Sequence, residues 1–174
     1  MSKQTPSSSP AAPLQRVLMV CTGNICRSPT AQGVLERLAA DAGMAGRLQV
    51  DSAGTHGYHV GEPPDARSQA HALRRGVDLS AQRARQLTAA DFGEFDLVLV
   101  MDAANERAAR ALCPPAQRHK LHRLTDFCVR HTAREVPDPY YGGERGFEQV
   151  LDIVEDACRG VLAELQAPGP AARR

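Results

Sequence analysis

The sequence carries almost no net charge: 21 lysines and arginines face 20 aspartates and glutamates over 174 residues, a balance of +1. Without a basic stripe, a nucleic-acid partner is not expected. No apolar run approaches the ~20 residues that span a bilayer, so membrane insertion is not expected either. The opening Met1–Pro13 is rich in serine, proline and alanine and lacks the apolar stretch of a secretory signal. A cytoplasmic location is therefore expected. Internal repeats are missing, and so is the Gly-x-x-x-x-Gly-Lys-Ser/Thr loop that cradles nucleotides.

Disulfide and zinc scaffolds are also disfavoured. The five cysteines are an odd number, and no signal peptide accompanies them. Cys113, His119, His122, Cys128 and His131 cluster suggestively, yet no Cys-x2-Cys knuckle is among them. Leu121, Leu124 and Phe127 interrupt them as a strand and turn packing on a core would. Neither a metal nor a cofactor is expected.

What the chain does contain is Val20-Cys21-Thr22-Gly23-Asn24-Ile25-Cys26-Arg27-Ser28-Pro29, directly after the apolar Val17-Leu18-Met19. The apolar run reads as a buried strand. Ala31, Val34, Leu35 and Leu38 then recur at helical spacing, with Pro29 suited to the first helical turn. Strand, tight loop and helix follow one another. Such a loop aims backbone N–H groups and the positive end of the helix dipole at one spot, which binds an oxyanion.

Each side chain fits attack on phosphorus. A thiolate is the nucleophilic form of cysteine, and a helix N-terminus and a neighbouring cation both favour it at Cys21. Arg27 offers a planar fork for two phosphate oxygens, which lysine could not reproduce. Gly23 offers freedom at positive φ, and Asn24 tolerates the left-handed region. Ser28 can donate its hydroxyl to the thiolate.

A second signal is Val136-Pro137-Asp138-Pro139-Tyr140-Tyr141-Gly142-Gly143. Prolines on both sides of Asp138 impose an extended loop, and the glycines let the chain turn away. Such a loop can hold one carboxylate over a pocket, where it would protonate a leaving aryl oxygen. The tyrosines could wall that pocket.

Together these segments resemble the low-molecular-weight protein tyrosine phosphatases. The matching residues are Cys21 to Pro29, Asp51-Ser52-Ala53-Gly54, Ala84-Arg85-Gln86-Leu87, Met101-Asp102 and Asp138-Pro139-Tyr140-Tyr141-Gly142, in the family's order over roughly residues 14–166. The resemblance implies that Cys21 attacks the phosphoryl group and forms a phosphocysteine. Arg27 and the N–H groups of residues 22 to 27 would hold the equatorial oxygens, and Asp138 would act as acid and then base. It also implies phosphotyrosine-containing proteins as substrates and phosphate or other oxyanions as ligands. The substrate would be bound by Thr22, Gly23, Asn24, Ile25, Cys26 and Ser28 of the loop, with Tyr58 and His59 on one wall and Tyr140 and Tyr141 on the other. In similar protein-arginine phosphatases, a threonine stands where this chain has Ile25, and Asp-Pro-Phe where it has Asp138-Pro139-Tyr140. Both differences favour phosphotyrosine. The family commonly has a histidine at Gln82 that supports the loop asparagine; glutamine can still donate a hydrogen bond, so the loop should survive. Cys26, five residues after Cys21, is expected to form a reversible disulfide with it.

Three other readings share these motifs. A protein-arginine phosphatase is one, set aside by Ile25 and Tyr140. A thiol-dependent arsenate reductase needs two further cysteines after the third strand, and Met101–Arg110 has none. A non-catalytic phosphotyrosine-binding module would lack the nucleophile, arginine or acid, and all three are present.

One α/β domain is expected over residues 14–166, between disordered tails at 1–13 and 167–174, acting as a monomer. Strands are expected near 16–20, 47–51, 96–101 and 119–122, and helices near 29–43, 65–76, 104–112 and 146–165. The last helix is the clearest, with Phe147, Val150, Leu151, Val154, Cys158, Val161, Leu162 and Leu165 on one face. Helices between short apolar strands imply a parallel sheet covered on both faces. The resemblance adds the strand order 2-1-3-4. The loop after strand 1 then lies at the carboxyl end of the sheet, where open α/β sheets bind ligands. Asp102, after strand 3 at the same end, is placed to prop it.

Overall fold

Strand β1 (Gln15–Cys21) is apolar on both faces and runs through the middle of the protein. Val17, Met19 and Cys21 point into one core layer, and Leu18 and Val20 into another. That is the period-two pattern of a strand covered on both sides. The computed structural model describes residues 13–167; residues 1–12 and 168–174, most of the two expected tails, lie outside the described residues.

The elements follow as α1 (Arg27–Asp41), β2 (Leu48–Gly54), α2 (Ala66–Arg74), the short α3 (Asp91–Glu94), β3 (Leu97–Val100), α4 (Ala103–Leu112), β4 (Leu121–Arg123) and α5 (Glu144–Gln166). The four strands are parallel in the order β2-β1-β3-β4. One layer packs α1, α2 and α5 on Val17, Met19, Leu99 and Met101. The other packs Phe92, Phe95 and Ala109 on Leu18, Val20, Val98 and Val100. Every apolar position expected on the inner face of α5 is buried or packed against the core. Gly160 lets that helix approach closely, because a Cβ there would meet the Phe127 carbonyl oxygen at 1.8 Å.

Several boundaries differ from expectation for local reasons. Helix α1 starts at Arg27 rather than 29, since Thr30 already donates its backbone N–H to the Cys26 carbonyl at 3.3 Å. It stops at Asp41 because Gly43 turns left-handed (φ 73°) and returns its N–H to Ala40. Strand β2 runs on to Gly54, pairing residue by residue with β1 up to Cys21. The start of β4 is delayed to Leu121 by a 3-10 helix over Pro115–Lys120, and another follows over Leu124–Phe127. Among the described residues, no helix is long and apolar enough to cross a membrane.

Candidate active site

β1 ends at Cys21, β2 at Gly54 and β3 at Val100, so all three deliver their next residues to one end of the sheet. There the chain from Thr22 to Cys26 curls into a loop that closes on the first turn of α1. Asn24 holds the curl in a left-handed conformation (φ 57°). Its amide is bound on both sides: Nδ2 donates to Ser28 Oγ at 2.8 Å and to Ser52 Oγ at 2.9 Å, while Oδ1 accepts from the Arg85 N–H at 3.0 Å. Arg85 is itself fixed by Asp51 and by both carboxylate oxygens of Asp91.

One expectation about this loop is corrected. Gly23 is not at positive φ; among the described residues that conformation belongs to Asn24 and to Gly43, Gly61 and Gly76. A Cβ at Gly23 would instead stand 3.0 Å from the His59 ring, so the glycine makes room for a pocket wall. Gln82 does donate a hydrogen bond, but to the Pro29 carbonyl at 3.0 Å. Asn24 is supported by Ser28, Ser52 and Arg85, which is why the loop keeps its shape without a histidine at residue 82. Gly54 is a further requirement, because a Cβ there would meet the Thr22 carbonyl oxygen at 2.8 Å and the Asn24 nitrogen at 3.1 Å.

Cys21 sits at the base, with its Sγ 3.0 Å from Ser28 Oγ. The Ser28 oxygen already accepts from Asn24, and its other neighbour, the Ala53 carbonyl, is farther at 3.5 Å. A thiolate at Cys21 can accept the Ser28 proton, in competition with the Ala53 carbonyl. Cys26 packs with Ile25, Ala84 and Phe147. Burial pushes its thiol pKa up to about 12, against a lowering hydrogen bond with Ser68 and with help from nearby acidic groups.

Arg27 is almost fully buried (2% exposed). Its Nη1 donates to Asp102 Oδ2 at 2.6 Å and to the Val136 carbonyl at 3.0 Å, and its Nη2 donates to Thr22 Oγ1 at 3.3 Å. A guanidinium has five N–H groups. Among the described residues these bonds leave Nε and a second Nη2 N–H, a pair that can grip two oxygens of one anion. Burial works against the charge, but Cys21 and Asp102 outweigh it and hold the guanidinium above its ordinary pKa.

Val136 also donates its N–H to the Met101 carbonyl at 2.8 Å, which ties the next loop to the end of β3. From that anchor the loop brings Asp138 Oδ2 to 3.7 Å from Arg27 Nη2, while Oδ1 accepts from the Tyr140 N–H at 3.1 Å. Arg67 holds the far side of the loop. It donates to the Tyr140 carbonyl at 3.0 Å and lies over the Phe147 ring at 4.8 Å.

A cavity of ≈ 190 Å³ opens above Cys21. It is lined by Cys21, Thr22, Gly23, Ile25, Cys26, Arg27, Tyr58, His59, Asp138, Tyr140 and Tyr141. All the expected site residues thus meet at one place, except that Asn24 and Ser28 act beneath the floor. The walls differ in depth. His59, braced by Glu62 at 2.7 Å, and Tyr140 make a tilted ring contact, with centroids 6.3 Å apart. Tyr58 stacks on His56 at the rim, and Tyr141 is 94% exposed. Asn105, Arg67 and the Val136 carbonyl belong to the site without having been foreseen. Only Asn105 left a trace in the sequence, three residues after Asp102 in the first turn of α4. Among the described residues, no group of three or more His, Cys, Asp or Glu side chains converges to hold a metal.

Comparison with known proteins gives one answer. The family model described as low molecular weight phosphotyrosine protein phosphatase matches residues 16–170. A low molecular weight protein-tyrosine-phosphatase of Streptomyces coelicolor is 44% identical over 154 residues, covering 87% of this chain and 93% of its own. The human low molecular weight phosphotyrosine protein phosphatase is 38% identical over 148 residues, 84% of this chain and 92% of its own. Among solved structures, a protein tyrosine phosphatase from Entamoeba histolytica superposes with a TM-score of 0.85 at 38% identity, covering 87% of this chain and 97% of its own. YfkJ from Bacillus subtilis gives 0.84 at 36% identity, covering 90% and 97%.

Proposed function

This chain belongs to the low molecular weight phosphotyrosine protein phosphatase family, and we propose that it hydrolyses phosphotyrosine in protein substrates through a covalent intermediate on Cys21. The observation that carries this reading is the alignment of three groups in one cavity. Cys21 lies at the base, Arg27 presents two N–H groups beside it, and Asp138 stands 3.7 Å from that guanidinium at the mouth.

In the first step the Cys21 thiolate attacks phosphorus, and the bond from phosphorus to the tyrosyl oxygen breaks in line. Asp138 delivers its proton to the departing oxygen. The loop N–H groups and Arg27 neutralise the equatorial oxygens where charge is spread in the transition state. In the second step water attacks the phosphocysteine, Asp138 takes a proton from it, and sulfur leaves as thiolate. The Ser28 hydroxyl, 3.0 Å from Sγ, can stabilise that leaving sulfur. Dividing the reaction in two replaces one hard displacement with two easier ones.

Substrate choice follows from depth. A phosphotyrosine ring can enter the slot beside His59 and Tyr140 and bring phosphorus to Cys21, whereas phosphoserine is too short to reach it. A reducing compartment such as the cytoplasm suits a protein whose five cysteines are all free. Hydrolysis of phosphotyrosine, phosphoserine and phosphoarginine peptides by wild type, Cys21→Ser and Asp138→Ala tests the proposal. Turnover confined to phosphotyrosine, abolished at Cys21 and slowed at Asp138, is expected. Preference for phosphoarginine would overturn the substrate assignment.

A further inference from the structure

Thr22 Oγ1 accepts two hydrogen bonds from groups that can only donate. Arg27 Nη2 lies 3.3 Å away and Asn105 Nδ2 3.1 Å away. A hydroxyl has two lone pairs and one proton. With both lone pairs engaged, the proton is left with one direction. Asn105 is 1% exposed and does not line the cavity, while Thr22 is half-buried and lines it beside Cys21, Arg27 and Asp138. The free direction therefore opens into the cavity.

Asn105 is built for this task. Its backbone N–H donates to Asp102 Oδ1 at 2.8 Å, in the first turn of α4, and Asp102 Oδ2 accepts from Arg27. Asp102, Arg27, Thr22 and Asn105 thus form one network in which each orientation is fixed by the next. Asn105 Oδ1 has no partner among the described residues.

We propose that the Thr22 hydroxyl donates its proton to the phosphoryl oxygen gripped by Arg27, and that Asn105 is the positioning residue that locks this donor. The proposal rests on the phosphatase reading of the site. It gives the cavity a side-chain donor beyond the loop N–H groups, one that threonine or serine can supply and an aliphatic residue cannot.

The test measures kcat/KM on a phosphotyrosine peptide and, by calorimetry, affinity for vanadate and inorganic phosphate, in wild type, Thr22→Val, Thr22→Ser, Asn105→Ala and the Thr22→Val/Asn105→Ala double variant. Thr22→Val, which preserves shape, is expected to lose about tenfold or more in kcat/KM, as for a hydrogen bond to a charged group. Vanadate affinity should fall by a similar factor, and Thr22→Ser should stay within a few-fold of wild type. Asn105→Ala should weaken both readouts alone but add little on top of Thr22→Val. Wild-type kcat/KM and vanadate affinity in Thr22→Val would overturn the proposal. So would equal losses in Thr22→Val and Thr22→Ser, or an Asn105→Ala effect that is fully additive. Failure of wild type to hydrolyse the peptide would count against the phosphatase reading alone, because the anion-binding measurements would still test Thr22.

Discussion

Arg27 and Asp102 meet at 2.6 Å beneath the floor of the cavity, with the arginine buried and the carboxylate capping the first turn of α4. This contact orients the anion grip, since it engages Nη1 together with the Val136 carbonyl and turns the remaining N–H groups outward. Asp102→Ala leaves a buried guanidinium without its partner, which typically costs about 3–5 kcal/mol. Chemical denaturation should show a loss of that size, and phosphate binding should weaken. Asp102→Asn, which keeps an acceptor, should lose less of both. Arg27→Lys should retain the fold but lose most activity, because an ammonium cannot reproduce the fork.

Asp138 should matter in proportion to the poverty of the leaving group. Asp138→Ala is expected to slow hydrolysis of a phosphotyrosine peptide by about 10²–10⁴-fold, the usual range for general acid catalysis. With a p-nitrophenyl ester, whose oxygen leaves without a proton, the loss in kcat/KM, which reports the first step alone, should be much smaller than the loss in kcat/KM for the peptide. Steady-state kinetics on the two substrates checks this, and equal losses would remove Asp138 from the role of acid.

Gly54→Ala probes the support of the loop rather than its chemistry. The added methyl would press on the Thr22 carbonyl and the Asn24 nitrogen. Over-packing of this kind costs about 1–3 kcal/mol. Folded protein with sharply weakened phosphate affinity is expected, measured by calorimetry alongside thermal unfolding.

Part of the acid sensitivity should come from Asp156, which does not line the cavity. Burial disfavours its charge, but the N–H groups of His131, Arg130 and Val129 outweigh this and hold its pKa below the ordinary carboxylate value. A carboxylate depressed in the folded state contributes stability above its unfolded pKa, near ~3.9, and loses it as pH falls through the folded value. Asp156→Asn should therefore be less stable than wild type at neutral pH and converge on it below about pH 4. Denaturant midpoints across that range measure the convergence.

Much of this site could be read in the chain because its chemistry is local. Cys21 to Ser28 lie within one strand–loop–helix turn, and the prolines around Asp138 mark an extended loop in the sequence itself. The contacts that were not legible join distant segments. Asn105 reaches Thr22 across 83 positions, and Arg27 finds the Val136 carbonyl across 109. A backbone carbonyl has no signature in residue identity. Gly23 reads in the sequence as backbone freedom, whereas the structure ties it to the His59 ring, which only packing brings alongside. Likewise α3 and the 3-10 turns lack the periodicity that marked α5.

Redox control is a further proposal for Cys26. Peroxide would oxidise Cys21 to the sulfenic acid, and Cys26 sulfur would then displace water to form the disulfide. Burial keeps Cys26 as a thiol, with its pKa at about 12, so closure should be faster at alkaline pH. Activity of peroxide-treated wild type should return with added thiol, while Cys26→Ser should not recover. Equal recovery in both would dismiss the disulfide.

The central claim is that phosphorus passes through Cys21. Mass spectrometry of acid-quenched Asp138→Ala during turnover of p-nitrophenyl phosphate tests it most directly, since slowed hydrolysis should let the intermediate accumulate. The account predicts a phosphoryl group on the peptide bearing Cys21, absent from Cys21→Ser. Phosphate on another residue, or steady turnover in Cys21→Ser, would contradict it.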